Sequence, residues 1–393
     1  MYKRQKEDEP FSAVVFKTLA DPFLGKISIF KVLSGAINKD DKILDVNKNE
    51  EAKASNLFFL KGKEQVKADR IIAGDIGAFT KLDTLSTGDT LASRDNPIEY
   101  KAIKYPKPVL FYAINAVSKN DEDKISEALA RLIEEDPTFK DDRNVETHQQ
   151  ILSGLGNVQL EVIMDKLRDN YGVNTEVVEY KIPYRETIKG KSDVQGKHKK
   201  QSGGAGQYGD VFIRFESTDE DFLFDEEVFG GAVPKNYFPA VQKGLEESLL
   251  EGPLGGFKVT GIHATLYDGS YHPVDSNEQA FKTAARLAFK KGIEEADPIL
   301  LEPVMKLEIK VPEENMGDVM GDMNKRRGKI LGMEPQEDGS QIILAEAPLA
   351  EVLTYAIDLR SQTSARGSFS MEFERYDEVP KEITQKVIAD KQE

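Results

Sequence analysis

Apolar and polar positions along this chain change their period several times. Between residues 10 and 98 the short apolar runs FSAVVFK, GKISIFKVLSG, DKILDV, ADRIIAGDIGAFTKL and GDTLAS are punctuated by turn residues, a pattern that predicts a small all-β barrel. Tyr105-Pro106-Lys107-Pro108 then reads as an extended linker. From Val109 the order becomes VLFYAINAV (strand), DEDKISEALARLIEED (helix), a strand around TFKDD, a strand in HQQILSGL, GNVQLEVIMDKLRDNYG (helix) and TEVVEYKI (strand). In the first helix Ile125, Leu129, Leu132 and Ile133 recur at helical spacing, and the acids from Asp121 to Asp123 favour its N-terminal turn.

The order β-α-β-β-α-β is that of the ferredoxin-like split motif. It returns in VMKLEIKVP, ENMGDVMGDMNKRR, GKILGMEPQ, SQIILAEAP, AEVLTYAIDLRSQT and GSFSMEFERY. The two modules flank residues 182 to 300, which have their own strands (VFIRFES, KVTGIHATLYDG) and helices (YFPAVQKGLEESLLEG, NEQAFKTAARLAFKKGIEEA). The expected architecture is multidomain α+β, with units at 1–105, 106–181, 182–300 and 301–380 and a C-terminal tail at 381–393.

At 393 residues the chain is long enough for several cores. No run approaches the roughly 20 apolar residues that span a bilayer, and MYKRQKEDEP lacks the apolar region of a secretory signal, so a cytoplasmic protein without a membrane partner is expected. Zero cysteines exclude disulfides and thiolate chemistry, and four scattered histidines (His148, His198, His263, His272) argue against a histidine metal cluster. A net charge of −16 opposes general affinity for nucleic acid. It conceals local contrast, however: residues 181 to 202 hold seven Lys or Arg against two acids, whereas residues 219 to 227 hold six acids. A solvated face is the plain reading of both.

Most candidate chemistry dissolves on inspection. Gly204-Ala205-Gly206-Gln207-Tyr208-Gly209 has the G-x-G-x-x-G spacing of a dinucleotide-binding turn, which needs a buried strand before the glycines and a helix starting at them. Here Lys197-His198-Lys199-Lys200-Gln201 precedes it, too charged for a central parallel strand, and VFIRFE alternates with period two after it. Asn38-Lys39-Asp40-Asp41 matches the guanine-reading N-K-x-D string but sits in a turn of the β module with no phosphate loop upstream. The nearest approach to a phosphate loop, Gly252 to Val259, lacks the second glycine and the hydroxyl that binds magnesium. Glu134-Glu135 and Glu246-Glu247 are neighbours on helices whose side chains diverge, and read as solvated charges. No catalytic residue is assigned.

Two loops remain. Lys199, Lys200, Gln201, Ser202, Gly203, Gly204, Ala205, Gly206, Gln207, Tyr208 and Gly209 combine a basic arm, glycines that admit close backbone approach and a tyrosine offering a stacking face. Asp268 to Asn277 joins a strand to a helix capped by Asp275 or Ser276, with Glu278 completing a capping box, and presents Tyr271 and His272 just before the helix. Each has a plain alternative, a flexible hairpin and a solvated turn.

QSGGAGQYGDV, GGAVPKNYFPAVQKGLEE, DGSYHPVDSNEQAF and ILLEPVMKLEIKVPEENMGDVMGDMNKRRGKILGM, in this order, resemble the bacterial ribosomal translocase family, elongation factor G, from about Pro10 to Pro380. That family opens with a GTPase domain, whereas this sequence starts where its second domain begins. The resemblance therefore implies a β-barrel domain, two ferredoxin-like modules flanking an α+β domain of the ribosomal S5-like type, and a chain without catalysis or cofactor of its own, GTP and Mg2+ belonging to the family's first domain. It further implies a monomer whose partners are both ribosomal subunits, their RNA and proteins, with tRNA and mRNA contacted indirectly. The fourth family domain imitates the tRNA anticodon arm and reaches the decoding centre during movement of tRNA and mRNA from the A to the P site.

The residues carried over to its tip are Lys199 to Gly209, Pro234 and Lys235 beside Val233, and Tyr271, His272, Pro273, Val274, Asp275 and Ser276. Asn324, Lys325, Arg326 and Arg327 would approach large-subunit RNA, and Gly156, Asn157 and Gln159 would transmit between domains. The acidic stretch 219 to 227 suits a surface imitating nucleic acid. The family usually has Arg at Ala205, an acid at Pro273, and Gly-Glu-Leu-His at Gly156-Asn157-Val158-Gln159; these departures resemble a divergent paralogue. A ribosome-recycling or ribosome-protection factor and a GTPase-independent RNA-binding regulator are the alternative functions.

Overall fold

The computed structural model describes residues 6–21, 25–62, 64–200 and 206–392. In the N-terminal module the turn-punctuated apolar runs become short antiparallel strands. Eight form one sheet and two more, Ala36–Asn38 and Arg70–Ile72, form a second, around a core of Phe30, Val32, Ile37, Ile71, Phe79 and Leu91. The N-K-x-D string is a tight turn there, closed by the Asn38 amide donating to Asp41 Oδ2 at 2.8 Å, with Asp40 at φ 72°.

The next module carries strands Leu110–Ala116, Lys140–Arg143, Gln150–Gly154 and Thr175–Val178, in spatial order second, third, first, fourth, with helices Lys119–Glu135 and Asn157–Tyr171. Ile125, Leu129 and Leu132 turn one helical face into its core. The adjacent acids of the first helix do more than sit in solvent: Glu135 accepts the Ala20 amide at 2.8 Å and pairs with Lys166, and Glu134 lies 3.2 Å from Lys26. They join this helix to the N-terminal module.

The C-terminal module repeats the arrangement with strands Pro298–Pro312, Lys329–Pro335, Ser340–Pro348 and Ser368–Glu378. Its second helical region is broken into Leu349–Val352 and Tyr355–Gln362. The long Pro298–Pro312 strand crosses residue 300 without interruption. It pairs with Arg185–Ile188 at its start and with both neighbours of its own module beyond Leu301. Residues 381–392, expected as a tail, form a helix whose Lys391 donates to the Gly256 carbonyl at 2.5 Å and stands 3.9 Å from the Phe257 ring centroid.

Between these modules lies a four-stranded sheet in the order Ser192–Lys200, Gln207–Ser217, Ile262–Ser270, Phe222–Glu226. Helices Phe238–Ser248 and Glu278–Glu295 cover one face, burying Val211, Ile213, Phe215, Ala264, Leu266, Phe281 and Phe289. The other face carries polar and aromatic side chains: Arg214 lies 4.4 Å from the Tyr267 ring centroid, and the Tyr267 hydroxyl donates to Asp193 at 2.5 Å. Burial, together with that carboxylate, pushes the phenol up to about 12.

Candidate nucleic-acid interface

The basic segment is not a loop arm. Residues 192–200 form the edge strand of the sheet, Lys199 facing Tyr208 and Lys200 facing Gln207 across an antiparallel ladder. An edge position tolerates the charge that a central parallel strand would not. Val194 and Gly196 point to the helices, and Lys197 and Lys199 to solvent.

The two described glycines of the dinucleotide-like spacing have packing duties. A Cβ at Gly209 would sit 2.5 Å from the Ala280 carbonyl oxygen, so this strand and the Glu278–Glu295 helix touch backbone to backbone. Gly196 makes the same approach to Ala284 one strand away. Gly206 donates its N–H to Asp275 Oδ1 at 3.1 Å, and a Cβ there would meet that carboxylate. Gln201, Ser202, Gly203, Gly204 and Ala205 lie outside the described residues.

Tyr208 is more anchor than platform. Its hydroxyl is 2.7 Å from Ser270 Oγ, which donates to Asp210 at 2.6 Å, and Gln195 donates to the other Asp210 oxygen at 2.7 Å. Its half-buried ring lies between Lys197, 5.6 Å from the centroid, and the His272 ring at 6.3 Å. The Asp210 carboxylate holds the Lys197 ammonium above its ordinary pKa. Asp210, Ser270 and Gln195 were invisible as a group in the sequence, since only strand register brings residues 195, 210 and 270 together.

In the second loop the helix cap is Asn277, whose side chain accepts the Ala280 amide at 2.9 Å. The expectation of an Asp275 or Ser276 cap with a capping box at Glu278 is corrected. Both residues are engaged by the hairpin instead: Tyr208 donates its amide to the Asp275 carbonyl at 2.9 Å, and Ser276 Oγ donates to the Tyr208 carbonyl at 2.8 Å. Tyr271, His272, Pro273 and Val274 are left exposed, Val274 at 78%. Of the two tyrosines in these loops, the exposed one is thus Tyr271.

A third loop joins them. Val233 is buried against Gly269, Pro234 and Lys235 open a short 3-10 turn, and the Tyr237 hydroxyl donates to the Ser276 carbonyl at 3.1 Å while its ring stacks on Phe281 at 4.6 Å. Among the described residues the 271–276 loop is thus bonded both to the hairpin at Gly206 and Tyr208 and to the third loop at Tyr237, and this end bears exposed Lys199, Lys200, Lys235, Tyr271 and His272. Cationic side chains, an exposed tyrosine and an imidazole are groups that meet phosphates and bases.

The remaining expected residues divide. Arg326 is bound to Asp322 at 2.8 Å and Asp358 at 2.9 Å, and donates to the Glu351 carbonyl. Arg327 donates to both oxygens of Glu302, a carboxylate 3% exposed, and to Glu351. Only Asn324 and Lys325 of that run face outward. Gly156 is buried against the Arg360 guanidinium, which donates to the Leu155 carbonyl at 2.8 Å and so crosses to the C-terminal module. Gln159 accepts the Leu155 amide and donates to Asp136 and Thr138, each at 2.7 Å, while Asn157 opens the helix.

The loop that nearly matched a phosphate-binding sequence does hold an anion. The amides of Leu254, Gly255 and Phe257 converge on Glu186, the protein's own fully buried carboxylate, at 2.9, 2.8 and 3.0 Å. Among the described residues no group of His, Asp and Glu is placed to hold a metal ion, and no helix is long and apolar enough to cross a membrane.

Together these features define a multidomain α+β protein whose third module presents a lysine-rimmed loop cluster. Residues 10–94 match elongation factor G domain 2, residues 105–179 domain III, residues 180–297 domain IV and residues 299–387 the elongation factor G C-terminus. The chain belongs to the elongation factor G family of translation factors. A crystal structure of a protein from Thermus thermophilus is 39% identical with a TM-score of 0.83, covering 98% of this chain and 58% of that one. This chain thus spans about 58% of the length of the protein it matches.

Proposed function

We propose that these modules are the ribosome-contacting part of a GTP-dependent translocase. In this reading the N-terminal module is the barrel that meets the small subunit, and the two βαββαβ modules are ferredoxin-like units flanking the domain that enters the decoding centre. The observation carrying the proposal is the loop cluster in a domain IV match: described residues of three loops held together through the 271–276 loop, with three exposed lysines, in a chain whose overall charge is −16. Its role is positional. A shaped wedge favours the state in which tRNA has left the A site, and nucleotide hydrolysis elsewhere in the parent protein sets direction and release. Lys325 and Asn324 would face large-subunit RNA, with Arg326 and Arg327 holding the turn that presents them. Gly156 and Gln159 would relay movement through the Arg360 contact.

Co-sedimentation with vacant bacterial ribosomes over a salt series tests this, with a full-length elongation factor G as competitor. Competable binding that weakens with salt is expected, and changing Lys199 and Lys200 to alanine should flatten the log–log salt slope by about 1.5. Absence of binding at low salt by the chain and by its full-length parent would overturn the reading.

A further inference from the structure

His272 is exposed, yet its Nδ1 is fully engaged by its own loop. The amides of Asp275 and Val274 point at Nδ1 from 3.1 and 3.3 Å, and the His272 amide donates to Ser276 Oγ at 2.8 Å. A ring nitrogen that accepts backbone N–H groups cannot itself carry a proton, so the proton resides on Nε2, the outward nitrogen. The loop takes this shape because residue 275 is tied to the neighbouring hairpin at two points: Oδ1 accepts the Gly206 amide at 3.1 Å and the carbonyl accepts the Tyr208 amide at 2.9 Å. Ser276 adds a third tie, to the Tyr208 carbonyl.

We infer that Asp275 is a positioning residue that fixes His272 in the Nε2–H tautomer, so that the imidazole offers a ligand one outward donor beside the exposed lysines. The groups that could bias the ring otherwise are few. Asp275 Oδ2 lies 3.3 Å from Nδ1, and the Tyr208 ring is the aromatic neighbour. Should the ring take up a second proton, Nδ1–H would turn to Oδ2 and Nε2 would remain a donor. In either state the atom His272 meets is an acceptor, such as an RNA phosphate oxygen. An exocyclic amino group, which needs an acceptor, is refused.

The inference rests on the proposed nucleic-acid role for its ligand, but not for its geometry, and the test separates the two. Long-range 1H–15N correlation on the 15N-histidine-labelled chain, with His272→Gln for assignment, should show Nε2 protonated and Nδ1 bare. Asp275→Ala should mix the tautomers and weaken binding to vacant ribosomes about fivefold, the equivalent of one neutral hydrogen bond. Asp275→Asn keeps an oxygen for Gly206 and should restore both. A wild-type spectrum with Nδ1 protonated overturns the inference, as do unchanged tautomers in Asp275→Ala with circular dichroism matching the wild type. A chain that shows the expected tautomer and no ribosome binding leaves the geometry standing and removes the functional reading. If Asp275→Ala fails to fold, the wild-type spectrum and Asp275→Asn decide.

Discussion

Replacing Glu186 with glutamine probes the buried anion cradle. The carboxylate has no exposure, and Oε1 accepts from Gly255 and Phe257 while Oε2 accepts from Leu254. Hydrogen bonds to a charged acceptor contribute about 1.5–3 kcal/mol, against about 1 kcal/mol for neutral ones. Glutamine keeps one oxygen for three converging N–H groups, and its NH2 faces at least one of them donor to donor. Relief from burying a charge offsets part of that loss, leaving a net local cost of about 2 kcal/mol. The strand carrying Glu186, the 252–257 loop and the Lys391 end of the last helix would loosen together. The reporters are the amides themselves: hydrogen exchange of a peptide spanning 252–258 should accelerate about 30-fold, while the 192–217 hairpin keeps its wild-type rates. Exchange in 252–258 within about threefold of wild type would refute the argument that the cradle depends on a charge.

Two further expectations concern stability. Arg327→Ala strands Glu302 without its bidentate partner and should cost about 3–5 kcal/mol of C-terminal module stability in urea unfolding, whereas Lys325→Ala beside it should leave unfolding unchanged. Burial opposes ionisation of Asp136, but hydrogen bonds from Thr138 and Gln159 outweigh it and hold the carboxyl below its ordinary pKa. Its stabilisation is therefore present above the normal carboxylate range and lost as pH falls through the lowered value; Gln159→Ala should raise the Asp136 midpoint, read by carboxyl NMR titration.

Periodicity made much of the fold legible because burial imposes it. Ile125, Leu129 and Leu132 face a core for the same reason that they recur at helical spacing, and the repeated βαββαβ order appears twice in space. What stayed hidden depends on register or on distant partners. Lys197 to Lys200 read as a basic arm too charged for a central parallel strand, and the register places them on an antiparallel edge strand, which has a free side. Arg326 and Arg327 looked like RNA contacts, because nothing in a sequence says that Glu302 lies under Arg327. The helix after the second loop follows three capping residue types in succession, and the hairpin's claim on Asp275 and Ser276 left the cap to Asn277. The glycine spacing, rejected as a nucleotide turn, has a related explanation: close approach was required, by a helix at Gly209 and a carboxylate at Gly206.

The uninterrupted strand from Pro298 to Pro312 has a mechanical consequence. Fifteen residues in extended form measure about 50 Å, and both ends are hydrogen-bonded, the first to Arg185–Ile188 and the rest to the C-terminal module. A beam built this way does not bend where two modules meet. A push on one end is carried to the other along a hydrogen-bonded ladder, which the connections at 93–109 and 179–184 do not have. The third module and the C-terminal module are thereby laid on one shared strand.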